Sequence, residues 1–405
     1  LIRRVVDRLR PDASQRLPRD VIVLGVIAFF VMVGFGVVIP VLPVYVRSFG
    51  VGYVEVGAVV SAFALVRLVA SPFCGWLINR GGERTILAIG IGIVAVSSGL
   101  VGIAETYPQV LVLRGIGGVG SAMFTISAMT LLLGTTPPAL RGRAMGFYQG
   151  GFLIGGMAGP ALGGILAVIS LQAPFFFYAG TLTIAGLVGL VLLQPRTLEV
   201  PGSAGTQPVP FRLVARDPRF IAACLANLAQ GWSSFGVRSA LVPVLVVEVL
   251  HRPPVWTGIA FAVAAVAQTI ALGPAGRFVD TVGRRPAMVG AFAVGAVAMM
   301  AIPFTPNIWI LMIVLCVYGA AAAFMGTAPA AAVGDAAGAR GGQPVAVFSA
   351  FADVGAIIGP LVAGALVDAA SFPAAFGTAV VFLLVASVYS LRMPRESGAT
   401  SQTAS

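Results

Sequence analysis

Four charged side chains sit where charge is costly. Arg67, Arg114, Arg238 and Asp353 all fall inside long apolar runs of this sequence. Asp353 is the one acid clearly inside such a run, about eight residues into the stretch near 345–369. A carboxylate that alternates between wet and dry surroundings can take up and release a proton, because desolvation penalises its charged form. That makes Asp353 the first candidate proton carrier. Glu55 and Glu248, near the ends of their runs, stand behind it. An embedded arginine costs roughly 2.5–3.5 kcal/mol at the centre of a membrane helix. Snorkelling to the interface is the ordinary escape, and it suits Arg67 least, about thirteen residues into its run. At least two of the three arginines are therefore expected to face a wet pathway.

Polar residues at helical spacing extend the same idea. Asn227, Gln230, Ser234 and Arg238 fall at i, i+3, i+7 and i+11, one narrow face at about 100° per residue. Arg114, Ser121 and Thr125 do the same in another run. Such faces turn toward a bundle interior or a cavity, or else they serve hydrogen bonds between helices. With Arg67 they form the expected substrate cavity. Three arginines against one embedded acid bias that cavity positive, which predicts tolerance of anionic or neutral ligands over multiply charged cations.

Other chemistries find no footing. Cys74, Cys224 and Cys316 each stand alone in apolar surroundings and read as small buried thiols, and His251 is the single histidine. No metal site or cofactor is expected. Gly115, Gly117 and Gly120 spell G-x-G-x-x-G. A dinucleotide site would need a preceding strand and an acid roughly twenty residues on, and neither is present. No nucleophile–base pair or phosphate loop stands in a suitable context, so an enzyme is not expected.

The elements that must carry these residues are membrane helices. Charged residues make up only 10% of the chain, against about 25% in soluble domains, too few to coat a water-facing surface. Runs long enough to cross a bilayer occur near 21–46, 54–77, 85–104, 109–134, 144–169 and 172–193 (spans 1–6). They recur near 220–247, 255–279, 286–304, 308–333, 345–369 and 373–391 (spans 7–12). The pI near 10.7 does not point to nucleic acid. All 25 basic residues are arginines, and 20 of them fall in segments on one side of the implied membrane. That bias is the positive-inside rule, which places both termini in the cytoplasm.

The expected organisation is a cytoplasmic N-terminal tail over 1–20, six helices over 21–193, a linker over 194–219, six helices over 220–392, and a disordered tail over 393–405. Residues 1–10 can form an interfacial amphipathic helix. The first span lacks a clear small-residue cleavage site and reads as a retained helix. The halves repeat at an offset near 200: Gly36 and Pro43 match Gly236 and Pro243, Gly75 matches Gly276, and Gly159-Pro160 matches Gly359-Pro360.

Several motifs carry a family resemblance. The segment between spans 8 and 9 reads Gly276-Arg-Phe-Val-Asp280-Thr-Val-Gly283-Arg284-Arg285. Its copy between spans 2 and 3 reads Gly75-Trp-Leu-Ile-Asn79-Arg-Gly-Gly82-Glu-Arg84, with an amide where its counterpart has a carboxylate. Here the first glycine allows close helix approach, the later glycine a tight turn, and Asp280 or Asn79 can cap helical N–H groups. Span 5 contains Gly155, Gly159-Pro160 and Gly163-Gly164, and span 11 repeats Gly355, Gly359-Pro360 and Gly364. Glycines four apart leave a smooth groove for a neighbouring helix. Span 1 adds Gly34-Phe-Gly36-Val-Val-Ile-Pro40-Val-Leu-Pro43.

Across nearly its whole length the sequence resembles the major facilitator superfamily, and within it the twelve-span drug:proton antiporters. The resemblance implies an all-α membrane protein with the major facilitator fold, 12 transmembrane helices arranged as two pseudo-symmetric six-helix bundles. It implies a cavity lined by spans 1, 4, 7 and 10, and a role in proton coupling for Arg114. The expected function is export of small amphipathic compounds or drugs, by proton antiport with rocker-switch alternating access. Its partners would be a small-molecule substrate, protons and membrane lipid, with no nucleic acid, in a monomer of the cell membrane. A dedicated metabolite or lipid-like exporter without proton coupling is the alternative. A non-transporting membrane sensor is a third reading.

Overall fold

The computed structural model describes residues 17–137, 140–193, 211–337 and 342–394. The amphipathic pattern of 1–10, most of the linker, Arg340 and the final tail lie outside the described residues. Twelve helices are long and apolar enough to cross a membrane. Spans 1–6 are Arg19–Val38, Tyr53–Gly81, Glu83–Val101, Tyr107–Thr135, Arg143–Ile169 and Ala173–Leu192. Spans 7–12 are Pro218–Val249, Val255–Thr281, Arg284–Phe304, Ile308–Ala336, Pro344–Ala369 and Phe372–Ser390. A helix can cross hydrocarbon because it closes most of its backbone hydrogen bonds within itself. Outward-facing Val168, Ile169 and Val191 are at least 70% exposed and meet lipid rather than protein.

Buried apolar side chains segregate into two large clusters. One runs from Val21 to Leu193, and the other from Val214 to Met393. Each half therefore has a core of its own. Twelve crossings bring both described ends and the segment between spans 6 and 7 to one side, called here the linker face. The opposite side is the distal face.

Two expected elements differ. The apolar run near 21–46 predicts one helix, but span 1 stops at Val38 and Leu42–Arg47 forms a separate short helix. Pro40 and Pro43 cause the break, because each lacks an N–H and crowds the preceding turn. Span 7 starts at Pro218, inside the expected linker, with Asp217 accepting from the Arg219 N–H at 2.7 Å as an N-cap. Gly231–Arg238 and Leu245–Val249 within span 7 are π-helical.

Gly82 and Gly283, repeat mates ahead of spans 3 and 9, hold φ of 74° and 111°. Few other residues adopt that backbone, so these turns need glycine. The glycines of span 5 seat it on span 1. A Cβ on Gly159 would come 2.7 Å from the Gly36 Cα, and one on Gly155 2.9 Å from the Val33 nitrogen. Gly355 and Gly359 meet Trp232 of span 7 in the same way.

Candidate functional site

The halves meet along two helix pairs related by the repeat. Span 2 packs on span 11, where a Cβ on Gly57 would strike the Pro360 carbonyl and one on Gly364 the Tyr53 carbonyl. Span 8 packs on span 5, where Gly258 abuts the Pro160 carbonyl and Gly164 lies against Val255 and Gly258. Small residues let backbones approach this closely. These contacts all lie toward the distal face.

A charged cluster closes the same face. Arg47 Nε donates to Glu248 Oε1 at 2.8 Å, and the Tyr53 hydroxyl donates to the same carboxylate. The guanidinium also lies 4.3 Å from the Tyr53 ring centroid. Its hydrogen bond to Glu248 holds Arg47 above the ordinary arginine range, so it stays charged. Arg47 and Glu248 are 201 residues apart, so one sign of the pair comes from each half. Beside them Asp368, at the end of span 11, accepts from the Tyr53 and Val54 N–H groups at 3.1 and 2.9 Å. A carboxylate from one half thus caps a helix of the other, where the helix dipole favours negative charge.

From there spans 2 and 11 run antiparallel as a ladder. Below Asp368–Tyr53 and Pro360–Gly57, Ser61 donates to the Ile357 carbonyl at 2.6 Å. The innermost rung is an ion pair between Arg67 and Asp353. Beyond it the helices part. A Cβ on Gly75 or on Gly276 would meet no atom within 4 Å, and Phe73 and Trp76 are 65% and 53% exposed. The expectation that these two glycines serve close approach does not describe this state, because the halves have separated at the linker face.

Between the sealed end and the open one lies a cavity of 570 Å³, within the range of small-molecule sites. Its wall takes residues from spans 1, 2, 4, 7 and 11, and none from span 10, which corrects the expected lining. Phe35, Val60, Phe63 and Phe348 give it an apolar body; Arg67, Ser71, Arg114, Thr125, Asn227 and Asp353 supply polar groups. Asn227 also donates to the Phe348 carbonyl at 2.6 Å.

Arg114 is only 6% exposed, with its guanidinium 4.5 Å from the Phe63 ring centroid and its Nε without a hydrogen-bond partner. A cation over a ring recovers about 0.5–2 kcal/mol, short of the cost of embedding the charge. Ser121 is half-buried one turn from Thr125 and outside the lining, its carbonyl accepting from the Thr125 hydroxyl at 2.8 Å.

The span 7 stripe is not one face. Asn227 reaches the cavity, but Gln230, Ser234 and Arg238 do not line it. Ser234 and Ser233 share hydrogen bonds with the Tyr318 hydroxyl at 2.8 and 2.9 Å. Arg238 sits between the Phe261 and Tyr318 rings, 5.4 Å from each centroid. The π-helical turns over Gly231–Arg238 hold more residues than 3.6, so Ser234 and Arg238, counted at 100°, rotate off the predicted face; Gln230 precedes those turns, and its absence from the lining has no such explanation. Two embedded arginines, Arg67 and Arg114, face the cavity.

The remaining residues are placed elsewhere. Glu55 is half-buried near the distal end of span 2, outside the cavity, and Glu248 belongs to the distal cluster. At the linker face Arg84 donates to the Leu190 carbonyl, and Arg284 pairs with Asp335 at 2.8 Å. Asp280 and Asn79 are exposed, and neither caps the next helix: Gly82 and Gly283 stand at the N-caps of spans 3 and 9, with no side-chain cap. Both lie in the last turn of the preceding helix, where no free N–H groups point at them. Arg285 is half-buried beside Arg284. Asp368 and Asp335 were not legible as partners in the sequence. The one available signal was that span 2 begins after Gly50-Val-Gly52, with no capping side chain of its own.

A ligand-sized cavity between two six-helix halves, shut at one end and parted at the other, defines a multi-pass membrane transporter rather than an enzyme. The chain belongs to the Major Facilitator Superfamily, whose family model matches residues 24–251 and 223–405. It is 28% identical to the synaptic vesicular amine transporter of Bos taurus over 331 residues, covering 79% of this chain but only 62% of that protein's length. It is 25% identical to the quinolone resistance protein NorA of Staphylococcus aureus strain COL over 354 residues, covering 86% and 90%. In structure it resembles a bacterial homologue of the human lysosomal transporter Spinster in its inward-facing, unoccupied conformation, with a TM-score of 0.77 at 16% identity over 93% and 97% of the chains. The nucleoside transporter NupG (D323A mutant) follows at a TM-score of 0.74 and 14% identity, over 92% and 99%.

Proposed function

We propose that this chain exports small amphipathic compounds, drugs among them, in exchange for protons across the cell membrane. The halves rock about the cavity, and the one-sided arginine distribution supports a cytoplasmic linker face. The observation that carries the reading is the Arg67–Asp353 rung, which joins the halves at the edge of the cavity. Protonating Asp353 removes the charge that holds Arg67, which links the protonation state of the cavity to a contact between the halves. The likeness to NorA supports drugs as cargo, and the amine transporter supports small amphipathic organic molecules.

The test is flux of a compound panel in proteoliposomes with and without an imposed pH gradient, with Asp353→Asn and Arg114→Ala beside the wild type. Coupled export predicts flux that follows the gradient and becomes indifferent to it in Asp353→Asn. A second reading, export without protons, is favoured by the pairing of Asp353 with Arg67, which leaves no free acid among the cavity-lining residues. It predicts flux that ignores the gradient in the wild type.

A further inference from the structure

Arg67, Arg114 and Arg238 lie well inside their spans, but only one of them presents an uncompensated charge to the cavity. Arg67 is answered by Asp353, and Arg238 sits between two rings outside the lining. Arg114 lines the cavity, is 6% exposed and makes no ion pair among the described residues. Phe63 offers the guanidinium a ring face, which attracts a cation but does not satisfy its fork of N–H donors. The wall beside it is apolar: the Phe63 ring, with the Phe35 ring 6.0 Å from it, centroid to centroid.

We propose that the cavity binds amphipathic monoanions, with a carboxylate or comparable oxyanion docked on Arg114 and the apolar body along Phe35 and Phe63. A planar anion matches the guanidinium bidentately and supplies the charge that the protein withholds. A second negative charge would find only Arg67, already held by Asp353. An organic cation would meet Arg114 unopposed. The proposal deepens the transport reading and rests on it only in taking this cavity as the substrate site.

Equilibrium binding to the purified chain in detergent near pH 7 tests it, with three probes sharing one naphthyl body: 1-naphthaleneacetate, 1-naphthaleneacetamide and 1-naphthylmethylammonium. The acetate should bind at least about tenfold tighter than the amide, as a charge-assisted hydrogen bond implies. R114Q should bring the acetate down to the affinity of the amide, and R114K, which keeps the charge without the fork, should retain part of the preference. R238Q should keep it in full. Equal binding of acetate and amide, tighter binding of the ammonium, a preference that survives R114Q, or no binding of any probe at millimolar concentration would each overturn the proposal. The experiment contains no gradient. A monoanion preference accompanied by gradient-independent flux therefore sinks proton coupling and leaves this proposal standing.

Discussion

Arg67 of span 2 and Asp353 of span 11 pair across the boundary between the halves at the point where those two helices separate. Their side chains are 36% and 24% exposed, so the pair lies between a surface ion pair and a buried one. Its coupling energy should be roughly 1–2 kcal/mol, above the usual surface value and below a buried pair. A double-mutant cycle on thermal unfolding, using R67Q and D353N, measures it. A coupling indistinguishable from zero would remove the rung from the mechanism.

The distal cluster should set which face is open. Removing the Glu248 charge in E248Q weakens its bonds to Arg47 and Tyr53 and shifts the population toward distal opening. In a chain freed of Cys74, Cys224 and Cys316, a cysteine placed at cavity residue Ser239 should then react several-fold faster with an impermeant thiol reagent added at the distal face. Exchanging the charges in R47E/E248R should return the rate toward its starting value. Unchanged labelling in E248Q refutes the latch.

Glycines that touch across the halves should behave unlike glycines that touch nothing. G57A and G258A force a methyl onto the Pro360 and Pro160 carbonyls. Overpacking of this kind should destabilise the sealed state by about 1–3 kcal/mol and abolish flux. G75A meets open space here, so the melting temperature should hold while flux falls if the other state closes over that position. The comparison is read from unfolding midpoints and transport on the same preparations.

Asp368 caps span 2 without belonging to it. D368A should cost about 0.5–2 kcal/mol, the range for losing an N-cap, and should speed distal labelling at Ser239→Cys as E248Q does. Loss of stability without faster labelling would make Asp368 a helix cap and nothing more.

Tyr318 reports on the corrected face of span 7. Y318F removes the hydroxyl that Ser233 and Ser234 share, for a loss of about 1 kcal/mol, with ligand binding in the cavity unaltered. A change in probe affinity would return that face to the pathway.

Much of this was legible in the sequence. Helix number and the two-fold repeat follow from hydropathy and from glycine and proline positions that local physics dictates. Asp353, Arg67 and Arg114 stood out because charge within apolar runs demands a reason. Their relationships did not. Pairing Arg67 with Asp353 requires knowing that spans 2 and 11 are antiparallel neighbours, which no local pattern encodes. Ser234 and Arg238 leave the stripe on span 7 because a 3.6-residue period does not describe the wider winding of Gly231–Arg238. Asp368 escaped because an acid at the end of one helix gives no hint that it caps another, 314 residues away from Val54.

The meeting of Arg47 with Glu248 constrains how the two halves can drift apart in sequence. Each half holds only one sign of the pair, so reversing either alone sets like charges face to face. The two halves are therefore bound to change together at that locus, although the two residues stand 201 positions apart in the chain.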